Sequence, residues 1–188
     1  MSTFLNDPKN EEDGDYNQYW YSEPTIGRII EALIENGGSV AFLSTPSLYF
    51  SLPDNLRSKS FVFDYDKKWE SDRGFVFYDF NEPETIPTNL LGTFDVVVVD
   101  PPFITHEVWQ KYATTTKLLM KQGTATDGSP AGKVILTTVA ENADLLNRLL
   151  GASATAFLPS IPHLVYQYNL YTNYNSEIFN KKNPEIPE

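Results

Sequence analysis

Four consecutive residues, Asp100-Pro101-Pro102-Phe103, combine groups that can act on an amine. The Asp100 carboxylate can accept a hydrogen bond from an amino group. The Pro101 carbonyl offers a second acceptor, although that residue has no N–H of its own. Pro102 stiffens the turn so that both acceptors converge, and the Phe103 ring can lie against a flat base or a cation. The preceding Val96-Val97-Val98-Val99 has no polar alternation and reads as a strand buried on both faces, the kind found at the centre of a parallel sheet. The prolines cannot extend the ladder. Asp100 and Phe103 therefore fall just past the carboxyl end of a central strand, where open α/β sheets bind ligands. A rigid Pro-Pro turn carrying a core phenylalanine would explain the same residues without chemistry, so the rest of the chain has to decide.

Asp/Asn-Pro-Pro-aromatic after an apolar strand resembles the motif of class I S-adenosylmethionine-dependent methyltransferases that act on amines. Such a cofactor presents a charged amino-acid end, a ribose diol and an adenine. Asp64 and Asp66 close the apolar run Ser60-Phe61-Val62-Phe63 and share a face, so one of them suits the diol. Asp79 ends the run Phe75-Val76-Phe77-Tyr78 and is placed to accept from the adenine amino group. Strand-end aspartates are also common in ordinary turns; three of them past strand ends are the stronger signal. The aromatic run Tyr16-Asn17-Gln18-Tyr19-Trp20-Tyr21-Ser22 reads either as a staple on the following helix or as a wall touching the cofactor. After the first strand, the general class has a Gly-rich loop. Here the loop is Ser44-Thr45-Pro46-Ser47, where hydroxyls would have to replace backbone contacts. No G-x-G-x-x-G occurs, which disfavours a dinucleotide site.

The elements that must position these residues follow from periodicity and punctuation. Ser22 reads as an N-cap with Pro24 in the first turn; Ile26, Ile29, Ile30, Leu33 and Ile34 recur at helical spacing, and Gly37-Gly38 ends the helix. Val40–Leu43 is a short strand, followed by a helix or turn through Leu48 and Leu56. Glu107 to Lys121 forms a helix, Gln122 to Gly132 a surface loop, Lys133 to Val139 a strand and Glu141 to Leu150 a short helix stopping at Gly151. Ala154 to Leu158 and Gln167 to Tyr174 are two last strands with no room for a crossover helix, so they pair antiparallel. The expected fold is α/β: a Rossmann-like class I methyltransferase with a mostly parallel seven-stranded sheet, one antiparallel strand near the C-terminus and helices on both faces. Residues 1–15, with Glu11-Glu12-Asp13, read as a disordered acidic arm, 16–174 as the catalytic domain and 175–188 as a flexible tail.

Composition narrows the function. A chain of 188 residues, 41% hydrophobic, supports one domain with a sizeable core. No apolar run spans a bilayer, and the N-terminus lacks a secretion signal, so a cytoplasmic protein is expected. With no cysteine and two distant histidines, His106 and His163, a metal site, a disulfide or a Ser-His-Asp centre is not expected. The net charge of −11 and scattered Lys and Arg disfavour nucleic acid and suit a basic protein partner.

With these pieces assembled, the chain resembles the lysine methyltransferases of translation elongation factor 1-alpha, once grouped with adenine-specific DNA methyltransferases because of the shared motif. Gln18-Tyr19-Trp20-Tyr21-Ser22, Ser44-Thr45-Pro46-Ser47-Leu48-Tyr49, Phe63-Asp64-Tyr65-Asp66-Lys67-Lys68, Phe77-Tyr78-Asp79-Phe80-Asn81, Asp100-Pro101-Pro102-Phe103 and Tyr171-Thr172-Asn173-Tyr174 carry the resemblance, and the glycine-free loop is part of it. The longer Gly/Ser/Pro loop before Lys133 departs from the family pattern. The resemblance implies methyl transfer from S-adenosyl-L-methionine to a lysine of elongation factor 1-alpha by a monomer. Asp100, Pro101, Pro102 and Phe103 would be the catalytic residues. Tyr19, Trp20, Tyr21, Ser22, Ser44, Pro46, Ser47, Asp64, Asp66 and Asp79 would hold the cofactor. Methylation of an adenine amino group in DNA or RNA is the rival chemistry, and a non-catalytic binding module is the rival of another class.

Overall fold

The computed structural model describes residues 3–187. Seven strands form one sheet: β1 (Val40–Leu43), β2 (Phe61–Asp64), β3 (Phe75–Phe77), β4 (Val96–Val99), β5 (Lys133–Thr138), β6 (Ser153–Ala154) and β7 (Asn169–Thr172). Their order is β3-β2-β1-β4-β5-β7-β6. Pairs from β3 to β5 are parallel, and β7 runs antiparallel to both β5 and β6. The chain builds outward from β1 to β3 and then returns to the other side of β1 with β4. The crevice between the carboxyl ends of β1 and β4 is thus the topological switch point.

Alternation along the strands feeds two apolar cores. Val96 and Val98 face α1 (Glu23–Asn36) together with Val40, Phe42 and Val62; Val97 and Val99 face α4 (His106–Leu119) and α5 (Ala143–Leu150) together with Ala41, Leu43 and Phe63. A run of four valines is what a strand covered on both faces requires. Ser22 caps α1 by accepting from the Thr25 N–H at 3.3 Å, and Gly37 closes it at φ 73°. Two short helices, α2 (Pro46–Tyr49) and α3 (Asp54–Arg57), bridge β1 to β2.

Three expectations change. Residues 3–15 are not a loose arm: Phe4 is 3% exposed, stacks on Phe50 at 5.9 Å and meets Trp20 edge-on at 5.4 Å. Asn10 ties the arm down, its carbonyl accepting from Trp20 Nε1 at 2.7 Å and its side-chain oxygen from Trp69 Nε1 at 3.1 Å. Residues 175–187 are likewise packed rather than loose, with Phe179 buried against Phe157 and Asn183 donating to the Leu158 carbonyl at 2.8 Å. The strand expected over 154–158 is reduced to Ser153–Ala154, because Phe157 leaves β7 and donates its N–H to the Phe179 carbonyl instead. Residues 1, 2 and 188 lie outside the described part of these segments.

Phe4 is the apolar anchor of the arm. Phe4→Ala should lower unfolding stability by about 3 kcal/mol in urea melts and speed proteolytic cleavage within residues 3–16. Cleavage at the wild-type rate would contradict the docking.

Candidate active site

Register places the central residues. Leu43 pairs with Val99, so Ser44 and Asp100 emerge side by side at the switch point, and the Asp100 N–H reaches the Leu43 carbonyl at 3.3 Å. They open onto a cavity of about 380 Å³. Asp100, Pro101, Pro102 and Phe103 all line it, as do Tyr19, Trp20, Ser44, Pro46, Asp64, Asp66 and Asp79. Tyr21, Ser22 and Ser47 do not. Tyr21 is buried beneath the cavity, its hydroxyl 2.6 Å from Thr137 Oγ1. Ser22 is turned to the helix cap and to Glu185, at 2.7 Å. Ser47 is buried within α2, and its carbonyl accepts from Ser51 Oγ at 2.6 Å. Helical geometry and side-chain direction separate these three from their neighbours, and a linear motif does not carry that information.

The loop without glycine keeps a glycine-like backbone. Ser44 sits at φ 58°, in the left-handed region, and its hydroxyl lies 2.7 Å from the Tyr112 hydroxyl. That conformation costs a non-glycine residue about 1 kcal/mol; the bond to a buried phenol offsets it. Thr45, next in line, holds a buried hydroxyl that has no hydrogen-bond partner among the described residues.

The carboxylates differ in their partners. Asp64 Oδ1 accepts from the Asp66 N–H at 2.8 Å. Both Asp66 oxygens are occupied: Oδ1 by the Lys68 N–H at 2.9 Å, Oδ2 by Gln18 Nε2 at 3.0 Å and by Lys68 Nζ at 3.5 Å. Asp79 Oδ1 accepts from the Asn81 N–H at 2.8 Å. Burial pushes the Asp64 carboxyl up to about 7 against the pull of the Asp66 amide and Lys68. Asp100 keeps a face on the cavity, yet the surrounding walls hold it from bulk water, and that desolvation raises it to about 7 although Tyr21 and Thr137 hydrogen bonds favour its charged form.

Several contributors were not read from the sequence. Asn17, at φ 53°, donates its side-chain amide to the Pro102 carbonyl and so fixes the motif turn from the N-terminal side. Tyr16 meets Tyr65 edge-on at 6.2 Å on the cavity wall. Ile161, Leu164 and Tyr168, from the connection between β6 and β7, close another side. Tyr16 and Asn17 lie within the aromatic run already noticed. The other three had no sequence signal beyond scattered apolar residues. The cavity lining includes five carboxyl side chains, Asp15, Asp64, Asp66, Asp79 and Asp100, and none of its residues is Lys, Arg or His.

Comparisons with known proteins agree with this geometry. A family model described as "Probable N6-adenine methyltransferase" matches residues 12–176. The chain is similar to "EEF1A lysine methyltransferase 1" of Danio rerio, 34% identical over 86% of this chain and 98% of the relative. It is also similar to the protein of that name in Mus musculus, 33% identical over 88% and 77%. Among solved structures, the branched-chain polyamine synthase of Thermus thermophilus, in complex with N4-aminopropylspermidine and 5'-methylthioadenosine, superposes with a TM-score of 0.60. It is 15% identical and covers 86% of this chain and 58% of that one, a likeness of fold.

Two outcomes follow from this geometry. Ser44→Ala keeps the left-handed strain and loses the Tyr112 bond, whereas Ser44→Gly loses the bond but relieves the strain, so the alanine variant should be less stable than the glycine variant by about 1 kcal/mol in denaturant melts. An unfolded aspartate titrates near 3.9, so between about pH 4 and 7 the folded protein binds more protons at Asp64 than the unfolded chain does, and stability falls as pH rises through that window. Asp64→Asn should therefore melt higher than the wild type at pH 8, with the gap closing toward pH 4; a gap independent of pH would exclude this cause.

Proposed function

The chain belongs to the family of the EEF1A lysine methyltransferase 1 proteins, and on that premise we propose that it is a protein-lysine N-methyltransferase that modifies translation elongation factor 1-alpha with S-adenosyl-L-methionine as methyl donor. The observation that carries the reading is the acid-lined cavity at the switch point with Asp100-Pro101-Pro102-Phe103 on its wall. Lysine brings a cation to this cavity, and so does a sulfonium donor. A polynucleotide brings phosphates, which need Lys or Arg, and the lining residues include neither. Acidic walls thus favour lysine over the adenine amino group, although the motif itself suits both.

The donor set fits S-adenosylmethionine. Asp64 stands at the end of β2, where its Oδ1 accepts from the Asp66 amide, and it would take the ribose diol. Asp66, saturated by Gln18 and Lys68, would instead brace that turn. Asp79, past the end of β3, would accept from the adenine amino group. Tyr19 and Trp20 would form a wall of the site. When bound, the cofactor supplies an electrophilic methyl carbon.

The rest is work for this chain's residues. Free lysine has a pKa of about 10.4, and the nucleophile is the neutral amine. Asp100 and the Pro101 carbonyl would accept the amine's hydrogens, which directs its lone pair along the line of transfer. Phe103, half exposed at the mouth, would shield the channel and favour cationic methylated products. Most of the rate gain is positioning. The cytoplasm, where elongation factors meet ribosomes, is the compartment that goes with this substrate.

The test offers purified elongation factor 1-alpha, and cell extract with and without nuclease treatment, to the enzyme with labelled S-adenosylmethionine. Label should appear on a lysine of the factor and survive nuclease. Asp100→Ala should reduce transfer by at least about 100-fold while cofactor binding stays measurable by calorimetry. Label in nuclease-sensitive material alone would move the assignment to adenine.

A further inference from the structure

Tyr21 and Thr137 lie against the Asp100 carboxyl from two different parts of the chain. Tyr21 comes from the segment ahead of α1, and Thr137 from β5, 116 positions later. The register explains the meeting: Val99 pairs with Leu136, so the next step along each strand sets Asp100 beside Thr137. The two hydroxyls lie 2.6 Å from each other, so one donates its single proton to the other, and the pair as a unit faces the Asp100 carboxyl and favours its charged form. Tyr21 is 2% exposed and Thr137 1%, and neither lines the cavity. Neither is therefore placed to touch a ligand in it.

We propose that Tyr21 and Thr137 are positioning residues for methyl transfer, locking the Asp100 carboxyl in the rotamer that faces the incoming amine. This rests on the lysine methyltransferase reading above. It gives Tyr21 a role different from the cofactor contact implied by the aromatic run.

The physical need is clear from the site. The terminal torsion of an aspartate is broad, so a carboxyl at a strand end does not aim itself. A bonded hydroxyl pair fixed in the core, with Thr137 on a strand paired on both sides, has one proton left to offer the carboxyl and so restricts it. Three phenols feel the charge of Asp100: Tyr21 ahead of α1, Tyr112 on α4 and Tyr168 ahead of β7; the carboxyls Asp15, Asp64, Asp66 and Asp79 share its cavity. Burial raises all three phenols, so they stay neutral near pH 7. No cation among the described residues contributes to the charge of Asp100; the hydroxyls of Tyr21 and Thr137 are what favour its ionised, hydrogen-accepting form against desolvation. Removing either hydroxyl loosens the aim and makes the carboxyl harder to ionise.

The experiment measures kcat, both KM values and their pH dependence for the full chain and for Tyr21→Phe, Thr137→Val and Thr137→Ser, with labelled cofactor and elongation factor 1-alpha. Tyr21→Phe and Thr137→Val should lose about 10- to 100-fold in kcat, leave KM for S-adenosylmethionine within about 2-fold of the wild type, and move the acidic limb of the kcat profile to higher pH. Thr137→Ser, which retains the hydroxyl, should restore rate and profile, and this separates positioning from loss of folding. A wild-type profile in both hydroxyl-deleted variants, or a loss confined to KM for the cofactor, would overturn the proposal. Carboxyl-labelled NMR titration of Asp100 in the cofactor-free protein supplies a readout independent of turnover. If the wild type methylates nothing, the lysine reading fails, but an unmoved Asp100 titration in both variants would still be needed to sink the role of the hydroxyls.

Discussion

A carboxyl held away from bulk water at the end of the central strand is the constraint on which this site depends. Val96–Val99 is covered on both faces, so β4 cannot shift without exposing apolar surface on two cores at once. That rigidity transfers to Asp100, the next residue. At the switch point Asp100 is flanked by Ser44 at the end of β1 and by Thr137 on β5. Its position is set by backbone pairing on both sides before any side chain is considered. A site built on strand ends in this way is more exactly aimed than one built on loops.

The same constraint explains why the ends of the chain matter. A buried carboxyl needs a roof, and the strand ends supply only a floor. The roof comes from residues 16–20, which Phe4 and Trp69 clamp through Trp20, and from the connection carrying Ile161, Leu164 and Tyr168. His163 on that connection lies 2.6 Å from Glu12, which ties one part of the roof to the arm. The C-terminal segment braces the start of α1, where Glu185 accepts from Ser22 and Thr25. Segments that carry no motif thus maintain the dielectric environment that raises Asp100 and Asp64 to about 7.

The central strand, the order of the elements and the four motif residues were legible because each is written locally. Four valines encode two buried faces, two prolines encode a stop, and Ser22-Glu23-Pro24 encodes a helix start. The arm was misread because its acids dominate its composition, while a single residue, Phe4, decides its docking. The tail reads as loose because it ends in the polar, Pro-containing Lys181-Lys182-Asn183-Pro184-Glu185-Ile186-Pro187-Glu188, while Phe179 and Asn183 anchor it. Tyr21 belongs to the same aromatic run as Tyr19 and Trp20, yet a single step along a non-helical segment separates the Trp20 ring on the cavity from the buried Tyr21 ring. Thr137 went unnoticed because a threonine in a strand is ordinary; only the pairing of β4 with β5 places it against Asp100.

The absent glycine after β1 shows how a conformation can survive the loss of the residue type that signals it. Glycine is usual where the backbone must turn left-handed, because it has no Cβ to clash. Ser44 takes the same turn at φ 58° and keeps a side chain there. The hydroxyl bonds Tyr112, whose ring packs edge-on against Tyr78 at 5.5 Å, and Tyr78 in turn donates to Thr115 at 2.8 Å. A turn that glycine would leave free is thereby fastened through two phenols to α4. The strain at Ser44 and its bond to Tyr112 are of similar size, so the exchange adds little net stability. What it adds is definition: the loop that borders the cavity is tied to the helix that follows the Asp100–Phe103 motif, and the two sides of the switch point are held as one piece.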